Sequence, residues 1–202
     1  MIEDEKKYSA GAVKHSFWFS EFRKVINLLN KGKTFDEIKD LNINENIFAA
    51  PTQARGGQIF NTVSNRVKSL NQSFYQLFDR SDISTQKIIA LIAILKSDDL
   101  FFDFVYEVYR DKLILGVNEL ADSDVRIFFK NKQLQSEQIA QWKDYTLKRL
   151  GTYYKTMLIE AGILDHGTEK RKILRPIIDK ELEECLKANG MKSMILALTG
   201  VR

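Results

Sequence analysis

Hydrophobic residues recur at three- and four-residue intervals along most of the chain, and this spacing predicts a mainly helical protein. Thr34 and Glu37 have the separation of a capping box, in which two side chains satisfy N–H groups left unpaired at a helix start. We therefore expect a short helix from Thr34 to Leu41. The segment 52–70 predicts a longer helix, whose apolar positions are Ile59, Phe60, Val63, Val67 and Leu70.

The middle of the chain is its most apolar part. The segments IIALIAIL (88–95) and LFFDFVYEVYRDKLIL (100–115) are hydrophobic on nearly every side, which is typical of helices at the centre of a bundle. A helix needs ~20 apolar residues to cross a bilayer, and the first run is far shorter. Residues 1–11 lack the apolar core of a signal peptide. With Cys185 as the single cysteine, we expect a cytoplasmic protein without a membrane partner.

Basic residues are concentrated between positions 142 and 175. This window contains eight Lys or Arg residues against four Asp or Glu residues, a net charge of +4 that equals the net charge of the whole chain. On a helix from about Thr146 to Ala161, Lys148, Thr152 and Lys155 would share one face, with Arg149 beside them and the apolar residues opposite. Gly151 and Thr152 would keep that face low, so that another backbone could approach it closely.

The flanks of this helix fit a winged helix-turn-helix. Ser136–Lys143 would be the supporting helix and 146–161 the recognition helix. Ile163–Leu164 and Lys172–Leu174 would then pair as a short β-hairpin around 165–171, whose basic tip would meet phosphates beside the major groove. An amphipathic helix followed by a charged loop on an ordinary bundle explains the same pattern, and both interpretations remain open.

A second, weaker DNA-contact candidate lies near the N-terminus, where the helices 34–41 and 52–70 are joined by a connection longer than a tight turn. Arg55 and Arg66 fall largely off the apolar face of the second helix, together with Gln58 and Asn65. Such residues suit groove contacts and also suit any exposed helix. Both regions together give the predicted DNA-binding residues: Lys148, Arg149, Thr152, Lys155, Lys170, Arg171, Lys172, Arg175, Arg55 and Arg66.

Catalytic groups are poorly supplied. His15 and His166 have no serine, cysteine or metal-spaced partner nearby in the sequence. The Gly-Gly pair after Arg55 lacks the spacing and the flanking strand of a phosphate-binding loop. Cys185 lies in a helical pattern and is expected to be a buried thiol. We predict no catalytic residue, no metal ligand and no cofactor, which favours a non-enzymatic protein.

These patterns predict a mainly α fold, described as a compact multi-helix bundle with helix-turn-helix-like elements and a short β-hairpin wing near the C-terminus. Three regions can be distinguished: a helix-turn-helix-like region at 1–80, apolar central helices at 81–130, and a winged-helix-like region at 131–202. No linker or repeat separates them. They are therefore expected to pack closely, as separate domains or as one.

Several short motifs follow one another over most of the chain: Tyr8–Gly11, Glu21, Asn65–Val67, Leu70, Trp142, Thr146, Tyr154, Leu158–Leu164 and Pro176. Their order and the chain length resemble the BrxA family of the BREX bacteriophage-defence systems. The resemblance implies a small all-helical protein with helix-turn-helix-like elements that binds DNA and works with other BREX proteins, without being their methyltransferase. It also implies a likeness to NusB-type RNA-binding folds, and it supplies no catalytic residue.

The leading hypothesis is a non-enzymatic component of a phage-defence system that binds duplex DNA mainly through phosphates, with weak sequence preference. A second hypothesis is a protein-interaction adaptor, in which the apolar middle helices or the segment 191–201 dock larger defence proteins. A third is RNA binding of the NusB type. The alternatives differ in the partner that each would capture.

Overall fold

Helices form most of the chain between Tyr8 and Val201, the residues that the computed structural model describes. The expected mainly α fold is confirmed. After a 3-10 turn at Gly11–Lys14, the helices are α1 Phe19–Asn30, α2 Phe35–Glu45, α3 Gln53–Lys68, α4 Gln72–Arg80, α5 Ile83–Ser97, α6 Asp99–Phe104, α7 Arg110–Leu115, α8 Asp122–Gln135, α9 Glu137–Ala140, α10 Asp144–Glu160, α11 Lys180–Ala188 and α12 Lys192–Thr199. A π-helical turn, Val105–Tyr109, connects α6 to α7 without a break.

The predicted capping box forms at the start of α2. The Thr34 side chain accepts a hydrogen bond from the Glu37 N–H at 3.2 Å, and Glu37 Oε2 accepts one from the Thr34 N–H at 2.8 Å. Both orphan donors are thereby satisfied. At the other end of the chain, Gly162 stops α10 in a left-handed conformation (φ +80°) that favours glycine.

The chain divides into two compact units. The first to be described comprises residues 17–97 and contains α1 to α5. In it, α1 and α2 pack against α3, and α5 packs against α3 and α4. Every residue from Ile88 to Leu95 is buried, as expected for a central helix that is apolar on all sides.

The other unit comprises residues 8–16 and 98–201. Its core contains a group of aromatic rings from α6, α8 and α10, in which Phe101 stacks on Tyr154 with 4.6 Å between ring centroids and Phe104 meets Phe128 edge-on at 5.2 Å. These rings are buried. They anchor α10 to the unit by its apolar side.

A small antiparallel sheet lies beside these helices. Strand β1, Glu119–Ala121, pairs with strand β2, Lys170–Lys172, so that Glu119 is opposite Lys172. On the other edge of β2, a single bridge joins Leu164 to Ile173. The predicted pairing of 163–164 with 172–174 therefore exists in a shorter form than expected. Strand β1 was not predicted, because Glu-Leu-Ala carries no β-branched or aromatic residue.

Candidate nucleic-acid interface

Helix α10 presents one apolar and one polar side, as its sequence predicts. The apolar side is buried and consists of Leu147, Leu150, Tyr154, Met157, Leu158 and Ala161 after the helix end. On the opposite side Lys148, Arg149 and Thr152 are exposed. The Arg149 guanidinium lies 5.7 Å from the ring centre of Tyr145, an aromatic residue that is itself exposed. The first half of α10 therefore offers cations and an aromatic ring to solvent.

A groove of about 580 Å³ separates α10 from α8. Its floor is apolar and includes Val125, Phe129 and Leu147. At Gly151 the two helices pack closely, and only glycine leaves room there, because a Cβ would lie 2.5 Å from Val125 Cγ1. The expectation that Gly151 lets an outside backbone approach α10 is wrong, since the small residue faces α8 and is buried.

The α8 side of the groove adds two exposed cations that the sequence analysis missed, Arg126 and Lys130. Neither lies within ion-pair distance of a carboxylate of residues 8–201. Their four-residue spacing, next to the apolar pair Val125 and Phe129, is a usable signal in the sequence. Local charge density does not reveal it, because both cations lie outside the basic segment 142–175.

Two predicted contact residues, Lys155 and Arg171, are held by one carboxylate. Asp122 Oδ1 accepts hydrogen bonds from Lys155 Nζ at 2.6 Å and from Arg171 Nη1 at 2.9 Å. The two cationic side chains are 12% and 14% exposed, whereas the Asp122 side chain is 40% exposed. Burial alone would raise the pKa of Asp122, but the hydrogen bonds and charges of Lys155 and Arg171 lower it below its usual value.

The turn before β2 is not the basic tip that was expected. Positions 166–169 form the turn, and Asp165 Oδ1 closes it by accepting hydrogen bonds from the Gly167 and Lys172 N–H groups at 3.1 and 2.8 Å. The three basic residues 170–172 lie in strand β2 instead. Because a strand alternates its side chains between two faces, Lys170 and Lys172 are exposed, while Arg171 is turned toward Asp122.

Two further predicted residues are occupied by contacts within their unit. Lys170 Nζ lies 3.3 Å from Glu119 Oε2 in an exposed ion pair, which contributes little energy. Arg175 Nη2 donates a hydrogen bond of 2.6 Å to the carbonyl of Leu113, which ties the chain after β2 to α7. Arg175 thus has a clear structural role.

The N-terminal candidates differ in accessibility. Arg66 is only 4% exposed and donates a hydrogen bond of 2.9 Å to the Phe17 carbonyl, so the expectation that it lies on an exposed helix face is wrong. Arg55 is partly exposed, bonds Gln58 at 2.6 Å, and has its guanidinium 5.1 Å from the Trp18 ring centre. Of the two N-terminal candidates, Arg55 and Arg66, only Arg55 is therefore accessible to a partner.

Other kinds of site find little support in residues 8–201. No cluster of three or more His, Cys, Asp or Glu side chains in this range could hold a metal ion. None of the helices within the same range is both long enough and apolar enough to span a bilayer.

Comparison with known proteins gives consistent matches. A sequence model of the family described as BrxA matches residues 6–190. The chain is 39% identical over 186 residues to the BREX protein BrxA of Bacillus cereus (strain H3081.97), an alignment that covers 92% of this chain and 93% of that protein. The fold is similar to the crystal structure of an uncharacterized protein from Magnetospirillum magneticum, with a TM-score of 0.79, 19% identity, and coverage of 97% of this chain and 100% of the other.

Proposed function

The chain belongs to the BrxA family, and from this premise we propose that it is a non-enzymatic, DNA-binding component of a bacterial BREX phage-defence system. The exposed side of α10 would meet the duplex, mainly through phosphates. The observation that carries the proposal is the grouping of Lys148, Arg126 and Lys130 around one groove, with Arg149 next to Lys148 on α10. All four are exposed and have no carboxylate partner in residues 8–201.

The order of the elements supports a winged helix-turn-helix for this unit. Strand β1 precedes α8, and α10 is followed by the Leu164 bridge and then by β2, which lies between the bridge and β1. The Asp122 N–H also donates to the Glu169 carbonyl at 3.0 Å, which ties the turn 166–169 to the start of α8. This tie would fix Lys172, as a wing residue, relative to α8 and the groove that α8 shares with α10, so that helix and wing could contact DNA together.

The size of the helix suits a duplex. An α-helix fits the major groove of B-DNA, which is about 12 Å wide, and α10 has 17 residues. In this proposal five exposed cations would contact phosphates: Lys148, Arg149, Arg126, Lys130 and Lys172. Neutralising about five phosphates predicts a slope of log K against log salt concentration of about −4 to −5.

The test is a fluorescence-anisotropy titration of labelled duplex DNA at several salt concentrations. The double variant Lys148→Ala/Arg149→Ala is expected to weaken binding and to make the slope shallower by about two. Lys180→Ala/Lys192→Ala is the matched control, because it removes the same charge from α11 and α12, which line neither the groove nor the sheet. A slope near zero, or equal losses in both variants, would refute DNA binding by this face.

Docking to another BREX protein is a second candidate function, favoured by exposed apolar side chains. Leu115, Val117 and Ile177 are exposed, and Gly200 packs against Leu113 so closely that a Cβ would lie 2.6 Å from Leu113 Cβ. This contact brings the exposed Val201 next to the end of α7. The apolar run 88–95 of α5 is buried and offers no such face. Docking predicts co-purification with BREX proteins that survives high salt and is lost in Leu115→Ser/Val201→Ser.

The NusB-like alternative can be tested with the same labelled duplex. Unlabelled single-stranded RNA is added as competitor, and unlabelled duplex of equal length serves as the reference. A protein that reads duplex geometry is displaced more efficiently by the duplex. Preferential displacement by RNA would favour RNA binding instead.

A further inference from the structure

Asp122 is the outward member of a cluster with two cations. Its side chain is more than twice as exposed as those of Lys155 and Arg171, which it holds through the single oxygen Oδ1. A group that approaches this part of the groove wall therefore meets the carboxylate before it meets either cation. The local surface is less positive than the sequence alone would suggest.

Arg171 is incompletely satisfied in this cluster. Its Nε is buried and has no hydrogen-bond partner in residues 8–201, which leaves a buried donor unpaired. Arg171 also shares its acceptor oxygen with Lys155. A phosphate offers several strong acceptor oxygens and can bind a guanidinium through two parallel hydrogen bonds. In this arrangement a phosphate would therefore compete with the Asp122 carboxylate for both cations.

The remaining charged pairs near the groove lack this arrangement. Lys170 and Glu119 are both largely exposed, so water already competes with their pairing. Asp124 holds Lys112 at 2.8 Å and caps the start of α8 by accepting from the Ala121 N–H. Neither of these two ion pairs includes a residue of α10. Asp122 is the carboxylate in the groove wall that joins α10 to β2.

We propose that Asp122 is an internal competitor of DNA phosphates, which keeps Lys155 and Arg171 out of the contact surface. This inference rests on the proposed DNA binding at the same face. Without the carboxylate, a duplex in the groove would gain two phosphate contacts, whereas the wild-type protein presents a negative charge there. The carboxylate would therefore reduce non-specific binding to DNA phosphates.

A purely structural role for Asp122 predicts the opposite result. If its task were only to tie β2 to α10, its loss would loosen the wing and weaken DNA binding. If it competes with phosphate, its loss makes binding tighter. The sign of the change in affinity separates the two roles.

The experiment compares the full-length protein with Asp122→Asn and Asp124→Asn by anisotropy titration of a labelled duplex at three salt concentrations. Both substitutions remove one negative charge from the first turn of α8, so the second controls for net charge. We expect Asp122→Asn to bind about tenfold more tightly, with a slope steeper by about two. Asp124→Asn should change affinity much less, because Lys112 is not part of the contact face.

Lys155→Ala supplies a second measurement that does not depend on how well Asp122→Asn folds. In the wild-type background it should hardly change DNA affinity, because Lys155 is already engaged. In the Asp122→Asn background it should remove a large part of the gain. If Lys155→Ala in the wild type weakens binding as much as Lys148→Ala, the lysine is already a contact and the inference is overturned.

The outcomes for the two proposals are distinguishable. If the wild type binds and Asp122→Asn binds no better than Asp124→Asn, the inference fails while the proposed function stands. If Asp122→Asn binds and the wild type does not, the competition by Asp122 is demonstrated, but the proposed function fails for the wild-type protein. If neither protein binds duplex DNA, the proposed function fails and the inference fails with it.

Discussion

Gly151 lies where α10 packs tightly against α8. A methyl group there would lie 2.5 Å from Val125 Cγ1. The Val125 side chain has little freedom to turn away, because it is β-branched and lies in a helix. Gly151→Ala is therefore expected to lower the free energy of unfolding by about 1–2 kcal/mol, although alanine is the better helix former. Urea unfolding followed by circular dichroism measures this change.

Gly57 in α3 provides the matched control. A Cβ at Gly57 would meet no atom within 4 Å, so Gly57→Ala should raise the free energy of unfolding by about 0.5–1 kcal/mol. Opposite signs for the two substitutions would attribute the Gly151 effect to overpacking. Equal stabilisation by both would mean that Val125 moves aside at little cost.

At the residue scale, the sequence predicts the buried side of a helix better than the role of its small and polar residues. The apolar side of α10 is confirmed because hydrophobic spacing directly reflects it. Gly151 and Arg66 were both expected on exposed faces and both are buried, because a neighbouring helix or a carbonyl of another segment covers them. Such coverage depends on tertiary packing, which periodicity within one helix does not contain.

Lys132 joins three elements of its unit. Its Nζ donates to Asp103 Oδ2 of α6 at 2.8 Å and to Glu107 Oε1 of the π-helical turn at 2.7 Å, from a position in α8 that is 5% exposed. Burial would lower the pKa of Lys132, but the two carboxylates outweigh this effect and raise it. The amine therefore remains charged in the core, and the helices it joins depend on it.

Lys132→Met is expected to lower the free energy of unfolding by about 3 kcal/mol, because it leaves the buried Asp103 carboxylate without its lysine partner. Urea titration gives the value. Lys130→Met, two residues earlier on the exposed side of α8, should change stability by less than about 0.5 kcal/mol. Similar losses in both variants would indicate a general effect of lost charge on α8.

The same cluster predicts a dependence on alkaline pH. Burial and then the hydrogen bond from Tyr8 Oη to Asp103 Oδ2 raise the pKa of Tyr8 to about 12. A folded pKa above the unfolded value gives stability that is complete below pH 10 and is lost as pH rises toward 12. The unfolding midpoint in urea should therefore fall over this range, and less steeply in Tyr8→Phe. Parallel curves would show that other groups account for the loss.

At the element scale, the longer helices followed from the sequence, whereas the expected supporting helix 136–143 is reduced to the four-residue α9 and half of the sheet was not predicted. The capping box of α2 and the apolar run of α5 are local signals, and both elements formed where expected. Strand β1 is defined by its pairing with a segment far along the chain, and its three residues carry no strand preference of their own. The wing therefore could be located only from its C-terminal half.

The net charge of the whole molecule is unevenly distributed. Residues 17–97 contain eleven Lys or Arg against seven Asp or Glu, while the rest of the chain contains twenty of each sign. The unit with the candidate groove is therefore neutral in sum, although its segment 142–175 carries +4. Under the proposed DNA binding, direct contact and long-range attraction would thus arise from different parts of the protein.

This division predicts different kinetic effects. Lys31→Gln/Lys39→Gln removes two exposed charges of the unit 17–97 outside the predicted contact set, and should slow association at low salt with little change in dissociation. Lys148→Gln/Arg149→Gln should speed dissociation as well. Stopped-flow fluorescence with labelled duplex measures both rates. Faster dissociation in the first variant would instead assign Lys31 or Lys39 a direct contact.

The pairing of β1 with β2 also affects when the cluster of Asp122, Lys155 and Arg171 can form during folding. The two strands are separated by the 48 residues from Asp122 to Glu169, so their pairing closes a loop that contains α8, α9 and α10. Helices form in about a microsecond, whereas contacts between distant segments must first overcome the entropy of loop closure. The Asp122 cluster, which needs both β2 and α10 in place, therefore belongs to the late steps. A nascent chain would have formed α10 before it could restrain Lys155 and Arg171.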